Sequence, residues 1–292
     1  MSIVRVTLCA VLLVEMMSGC KQHSEASPAG PRSAPAATME ATRIQASAPA
    51  QPKTEPAAAP ATATAQPPEG MVYIPGGSFD MGPPREVTMG RAPQRTQVAP
   101  FFLDRTEVTV AAYLACVQSN TCTASQHQAG CNARAKKPLL RHPINCITKT
   151  QAERYCAAQG KRLPSEAEWE FAARGTDGRI YPWGNGDAGE QVCWQGRHGA
   201  DFKKTCPVGS FPPGASPFGA LDMAGNVAEW TSTSETETAA AGAFRTRGGG
   251  YPVEPIDLSS PETLMIRADQ WETFSAEDNS PKLGVRCAKD NG

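Results

Sequence analysis

Residues 160–175 read GKRLPSEAEWEFAARG, and this stretch contains a helix start that can be recognised from local chemistry. The Ser165 hydroxyl can accept a hydrogen bond from the backbone N–H of Glu168, and the Glu168 carboxylate can reach back to the N–H of Ser165. Apolar residues then recur at helical spacing, namely Trp169, Ala172 and Ala173. The stretch therefore predicts a helix that begins after Ser165 and ends near Gly175.

The residues before this helix predict short strands and two further helices. Met71–Gly82 has the pattern of two short strands around a Pro75-Gly76-Gly77 turn, because the glycines can adopt positive φ. Thr109 has a side chain suited to capping a helix over about residues 110–118. A further helix is predicted over about residues 149–159, where a glycine follows. Beyond residue 175 the helical periodicity is lost and Pro-Gly turns dominate, so we expect much irregular backbone.

Composition divides the chain of 292 residues into two parts. Residues 21–69 are rich in Ala and Pro and contain no Phe, Trp or Tyr, which is typical of a disordered tether. Residues 70–292 contain all the Trp and Tyr and are long enough for one buried core. The formal net charge of −1 argues against a nucleic-acid binder. No stretch approaches the roughly 20 apolar residues of a membrane span.

The first residues have the pattern of an export signal. Arg5 precedes a short apolar run, and Met-Ser-Gly-Cys at 17–20 resembles the lipobox of bacterial lipoproteins. The resemblance implies a signal peptide over residues 1–19 and a lipidated Cys20, followed by the tether over residues 20–69. We therefore expect an exported protein, anchored by lipid in the cell envelope, with the outer membrane favoured because Lys21 rather than Asp follows Cys20.

Eight further cysteines occur in the part of the chain after the tether, at positions 116, 122, 131, 146, 156, 193, 206 and 287. An even number in an exported chain predicts disulfides, and eight cysteines allow 105 pairings, so composition leaves the connectivity open. Zinc is disfavoured because there is no C-x-x-C and the histidines lack ligand-like spacing. The basic residues between Cys116 and Cys146 are interpreted as a solvated face.

Several segments in one order resemble the sulfatase-modifying-factor family, whose type member is the formylglycine-generating enzyme. They are MVYIPGGSFDMG (71–82), RTEVTV (105–110), GKRLPSEAEWEFAARG (160–175), YPWGN (181–185), LDMAGNVAEWT (221–231), RGGGY (247–251) and GVRCA (284–288). The resemblance implies a single α+β domain over residues 70–292. Its fold would be the formylglycine-generating-enzyme variant of the C-type-lectin-like fold, low in regular secondary structure.

The resemblance also implies structural calcium and one disulfide. A family calcium loop matches residues 224–229, with carbonyl oxygens from Ala224, Gly225 and Val227, a carboxylate from Glu229, and Asn226 shaping the loop or adding its amide oxygen. Oxygen ligands of this kind suit Ca²⁺. The alternative is that Asn226 and Glu229 only make hydrogen bonds in the loop while Trp230 packs in the core. Two cysteines that are bonded in the family align with Cys156 and Cys287.

The catalytic residues of the family are not matched. The enzymes oxidise a sulfatase cysteine with O₂ through two cysteines that bind copper, and Val253 and Leu258 stand at those places. Neither side chain can ligate Cu(I), so no copper is expected. We favour a catalytically silent module that binds an unknown envelope protein or a glycan. The alternatives are an active oxidase of sulfatase cysteines or another oxidoreductase of the family.

Overall fold

The structure is a computed structural model, and it describes residues 66–83, 92–186, 190–194, 205–234, 242–250 and 266–292. These residues belong to a compact unit that spans Pro60–Gly292. The signal peptide, Cys20 and most of the tether lie outside the described residues, as do Val253 and Leu258. No helix in the described part combines the length and apolarity needed to cross a membrane.

The helix expected from residues 160–175 is confirmed as α3, Glu166–Arg174. The backbone N–H of Glu168 donates to Ser165 Oγ at 3.2 Å, and the N–H of Ser165 donates to Glu168 Oε2 at 2.7 Å, so both halves of the capping box are present. Trp169 is fully buried on this helix. Gly175, at φ +66°, ends it.

The two earlier helices are also present. Helix α1 is Val110–Gln118, and Thr109 Oγ1 accepts from the N–H of Ala112 at 3.2 Å as an N-cap. Helix α2 is Lys149–Ala158. Thr148 caps α2 through a second capping box with Gln151, which sequence analysis did not identify.

Nine short strands occur in the described residues: β1 Met71–Ile74, β2 Gly77–Met81, β3 Gln94–Val98, β4 Phe101–Asp104, β5 Ala228–Ser234, β6 Ala243–Arg247, β7 Trp271–Ser275, β8 Leu283–Gly284 and β9 Ala288–Asp290. They form three sheets with the orders β1-β4-β9, β2-β3 and β7-β6-β5-β8. All strand pairs are antiparallel except β5 with β8.

The strands β1 and β2 have the expected positions but do not pair with each other across the Pro75 turn. Instead β1 pairs with β4, and β2 pairs with β3. A Cβ at Gly76 would lie 2.5 Å from the carbonyl oxygen of Val98, so the glycine allows the turn to pass against the β3–β4 connection. The expectation of two strands around a tight turn is therefore right for the strands, and the turn carries the chain from one sheet to another.

Two apolar clusters fill the space between these elements. One packs α1 and α2 against β5 and β8, with Tyr113, Tyr155 and Trp230 at its centre. The other packs α3 against β1, β2 and β4, with Trp169 and Phe101 among its buried members. The result is an α+β domain in which the three helices cover sheets of short strands, and long loops connect them.

All eight cysteines of the domain form disulfides. The bonds are Cys116–Cys122, Cys131–Cys146, Cys156–Cys287 and Cys193–Cys206. The Cys156–Cys287 bond implied by the family resemblance is present, and the other six cysteines pair locally within residues 116–146 and 193–206. The long bond joins α2 to the residue just before β9 and closes 131 residues of sequence.

Candidate functional site

The loop expected to bind calcium, residues 224–229, leads into β5. Asn226 lies in the left-handed region at φ +59°, and its Oδ1 accepts from the backbone N–H of Cys206 at 2.9 Å. The N–H of Asn226 donates in turn to the carbonyl oxygen of Cys193 at 3.0 Å. A Cβ at Gly225 would lie 2.4 Å from that same Cys193 oxygen, so the loop requires glycine here. Asn226 therefore shapes the loop and attaches it to the Cys193–Cys206 disulfide.

The Glu229 carboxylate has protein partners on both oxygens. Its Oε1 accepts from Arg286 Nη2 at 2.7 Å, and its Oε2 accepts from Arg286 Nε at 2.8 Å and from Trp169 Nε1 at 2.6 Å. Glu229 and Arg286 are both inaccessible to solvent. These contacts match the alternative interpretation, in which Glu229 makes internal hydrogen bonds and Trp230 packs in the core.

A second buried carboxylate beside this pair has no such partners. Glu107 follows β4 in the segment RTEVTV, and neither of its carboxylate oxygens accepts a hydrogen bond. Burial raises the pKa of Glu107 well above its ordinary value; the charge of Asp222 raises it further, and that of Arg286 lowers it. Burial likewise raises the pKa of Asp222. Glu107 and Asp222 are therefore two buried carboxyls that lie close to each other and to Arg286.

Glu107 and Asp222 bear on whether this part of the domain can hold a calcium ion. An ionised carboxylate that is buried without a partner is costly, and a cation bound beside it removes that cost. Among the described residues, no three His, Cys, Asp or Glu side chains are grouped to hold a metal. Glu107 and Asp222 are two buried carboxylates whose charge a bound cation would compensate, and carboxylate oxygens are donors that suit Ca²⁺.

Glu107 and Asp222 were missed by the sequence analysis, although both lie in segments quoted for the family resemblance. An acidic residue between a threonine and a valine gives no local sign of burial. The available signal was the isolation of Glu107 as the one acidic residue between Asp104 and Glu153.

A layer of ion pairs connects α3 to the end of β6, where the segment 251–265 begins. Arg245 and Arg247 of β6 both contact the carboxylate of Glu166, and Arg247 also lies 3.0 Å from Glu170. The guanidinium of Arg245 stacks on the ring of Trp271 at 4.6 Å from its centroid. A cavity of about 30 Å³ adjoins this layer, which is room for one or two water molecules.

Among the described residues, no free cysteine lies beside this layer. The cysteines of the domain are all disulfide-bonded, and the sequence between Cys206 and Cys287 contains no cysteine. The positions expected for copper ligands, Val253 and Leu258, lie outside the described residues. The ion pairs of this layer hold α3 against β6. The layer contains no thiolate.

A family model for the sulfatase-modifying factor enzyme 1-like domain matches residues 56–291. The inactive C-alpha-formylglycine-generating enzyme 2 of Bos taurus is 37% identical over 162 residues, which cover 52% of this chain and 52% of that protein. The chain thus matches about half the length of that relative. The formylglycine-generating enzyme of Bos taurus is 30% identical over 289 residues, covering 77% of this chain and 76% of that protein.

Solved structures share the fold. PvdO from Pseudomonas aeruginosa has a TM-score of 0.58 at 25% identity, covering 75% of this chain and 94% of that one. CarF has a TM-score of 0.56 at 21% identity, covering 76% of this chain and 98% of that one, and this supports the fold alone. Because the family model covers residues 56–291, and a solved relative superposes over three quarters of the chain, the protein belongs to the sulfatase-modifying-factor family and has the formylglycine-generating-enzyme variant of the C-type-lectin-like fold.

Proposed function

We propose that this domain is a non-catalytic member of the family, a binding or scaffolding module on a lipid-anchored protein of the cell envelope. The observation that carries the proposal is that the domain has no free cysteine where the family has its copper ligands. Each of the eight domain cysteines is bonded to another, and none lies between Arg247 and Gly284, where the family places its copper pair. Without thiolates, Cu(I) has no two-coordinate site there.

The named relatives include both inactive proteins and formylglycine-generating enzymes, so they do not decide whether this domain is catalytic. Inactive enzymes of Bos taurus and Mus musculus match over about half of their length, and the formylglycine-generating enzymes of Bos taurus and Thermomonospora curvata match over about three quarters of this chain. A hercynine oxygenase of Mycolicibacterium smegmatis matches over 31% of this chain, so other oxidoreductase chemistry occurs among the relatives. Fold does not decide between these activities, and the thiols of this chain favour the silent module.

The decisive experiment measures cysteine oxidation. The purified full chain is loaded with copper and incubated under O₂ with a peptide that contains the sulfatase cysteine motif. Mass spectrometry then measures conversion of the cysteine to formylglycine. We expect no conversion above a control with copper alone, because no thiolate pair holds the metal beside the peptide. Conversion above that background would restore the alternative, an active oxidase of sulfatase cysteines.

The proposed location of the module, in the cell envelope, rests on the N-terminal segment and on the disulfides. Export is supported by four disulfides, which persist in oxidising compartments. The lipobox-like Met-Ser-Gly-Cys supports lipidation of Cys20, and the Ala/Pro tether would let the domain reach an envelope protein or glycan at a distance from the membrane. Fractionation of a Cys20→Ala variant tests this, since release into the soluble periplasm is expected and unchanged membrane retention would reject the anchor.

Calcium at the 224–229 loop is part of the proposal, with Glu107 and Asp222 as its carboxylate ligands. A ligand that binds only the native state raises stability by mass action, so added Ca²⁺ should raise the melting temperature. Glu107→Gln should abolish this response, whereas Glu277→Gln, an exposed carboxylate, should retain it. A melting temperature that is equal in Ca²⁺ and in chelator would reject the site.

A further inference from the structure

A long stretch of the domain carries charge of one sign. From Val108 to Ala152 the sequence contains no Asp or Glu. Within that stretch, residues 134–141 read RAKKPLLR and hold four basic side chains, Arg134, Lys136, Lys137 and Arg141. We call residues 134–141 the basic loop. Because the whole chain is close to neutral, this concentration makes the surface of the domain electrostatically asymmetric.

The basic loop presents its charges to solvent. All four basic residues are exposed, and within the part of the chain that the structure describes none of them forms an ion pair. Leu140 lies among them and is 52% exposed, the one large apolar side chain in the described residues to be so. A single exposed leucine is ordinary on a surface, and its position among four unpaired cations is the unusual feature.

The basic loop is held in place by the rest of the fold. The Cys131–Cys146 disulfide closes the segment that contains it. The N–H of Leu139 donates to the carbonyl oxygen of Asn132 at 3.1 Å, and the N–H of Ala111 in α1 donates to that of Leu140 at 3.0 Å. The carbonyl oxygen of Arg141 accepts from the N–H of Val208 at 2.9 Å. The side chains are therefore presented by a fixed backbone, which lowers the entropy lost on binding.

We propose that the basic loop docks on the surface of an anionic phospholipid bilayer, with Leu140 inserted among the headgroups. Lysine and arginine near such a surface are attracted by its negative potential, and one apolar side chain between them gains from burial at the headgroup boundary. Four exposed cations with no ion-pair partner, beside one exposed leucine, suit the diffuse negative charge of a bilayer surface. Docking of the basic loop does not depend on lipidation at Cys20, so an experiment can reject either proposal without rejecting the other.

Vesicle binding tests the inference on the full chain with Cys20→Ala, so that no lipid anchor is present. Vesicles of phosphatidylcholine alone are compared with vesicles that contain about one third phosphatidylglycerol, and sedimentation gives the partition coefficient. We expect binding to the anionic vesicles. Raising the salt from about 0.1 M to about 1 M should abolish this binding, because the Debye screening length falls from about 10 Å to about 3 Å. Equal binding to both kinds of vesicle would overturn the proposal.

Variants of the basic loop locate the effect. Each cation contributes about fivefold to the partition coefficient, so Lys136→Gln with Lys137→Gln should lower it about 25-fold. Leu140→Ser should lower it about three- to tenfold. Lys289→Gln removes an exposed lysine of β9, outside the basic loop, and serves as the control; because this lysine does not face the bilayer in the proposed docking, we expect little change in the partition coefficient.

Folding of the variants is checked by their melting temperatures, which exposed substitutions should leave unchanged. Wild-type binding by the Lys136→Gln/Lys137→Gln variant would overturn the proposal. So would a loss in Lys289→Gln as large as in that double variant. A soluble anionic polysaccharide that binds the loop, with no preference for phosphatidylglycerol vesicles, would reassign the surface to a glycan and overturn bilayer docking.

Discussion

Arg286 connects distant parts of the chain at the scale of single residues. Besides the two oxygens of Glu229, its guanidinium donates to the carbonyl oxygens of Asp104 and Leu221 at 3.1 and 2.9 Å. One side chain therefore holds together the end of β4, the segment just before the candidate calcium loop, and β5. The Glu229 carboxylate and the carbonyl oxygen of Asp104 are buried away from water, so losing the arginine leaves several groups unsatisfied at once.

Glu229→Gln should lower the free energy of unfolding by about 3–5 kcal/mol, because it leaves the buried Arg286 charge without its counterion. The matched control is Asp80→Asn, since Asp80 pairs with Arg95 across 3.4 Å on the surface. An exposed pair of this kind contributes at most about 1 kcal/mol. Urea denaturation of both variants measures the difference. Equal losses in the two variants would contradict the role assigned to Glu229.

The capping boxes at α2 and α3 show how single elements are specified. In each, one side-chain oxygen accepts from the first turn of the helix and a second side chain returns a hydrogen bond to the cap residue. Such contacts join residues three apart in sequence, and they can be recognised without knowing the fold. The capping box fixes the residue at which α3 begins. Because the start of the helix sets which residues share a face, it also sets that Trp169 faces the core.

Ser165→Ala should lower the free energy of unfolding by about 1 kcal/mol, since it removes the oxygen that accepts from the N–H of Glu168. Ser165→Asp keeps an oxygen at that place and adds negative charge at the helix N-terminus, so it should retain most of the stability. Thermal denaturation monitored by circular dichroism compares the three proteins. An Asp variant as unstable as the Ala variant would exclude capping as the cause.

The same local logic explains what the sequence could not predict. Strand positions such as β1 and β2 followed from short apolar runs, whereas their partners β4 and β3 are chosen by long-range packing that no local pattern encodes. The candidate site is similar. The loop 224–229 was recognisable as a motif, but the proximity of Glu107 to Asp222 joins residues more than a hundred positions apart.

The four disulfides act on the molecule as a whole, and their effect depends on the length of chain that each one closes. In the chain-entropy model, the Cys156–Cys287 bond, which closes 131 residues, stabilises the fold by about 5 kcal/mol. The Cys116–Cys122 bond closes only six residues and contributes about 2 kcal/mol. The domain therefore depends far more on the long bond than on the short one.

Replacing both cysteines of a bond by alanine tests this difference. The Cys156→Ala/Cys287→Ala variant should lose about 3 kcal/mol more than Cys116→Ala/Cys122→Ala. Both variants remove two buried sulfur atoms, so each controls for the loss of packing in the other. Urea denaturation gives the two free energies of unfolding. A larger loss from the short bond would show that local packing, rather than chain entropy, dominates.

The pairing of β4 with β9 has a consequence for the order in which the protein is made. A ribosome releases residues 101–104 long before residues 288–290, yet these two strands lie side by side in the first sheet. Until the last residues emerge, the edge of β4 has no partner and Cys156 remains a free thiol. The first sheet and the long disulfide can therefore be completed only after residues 287–290 have been made.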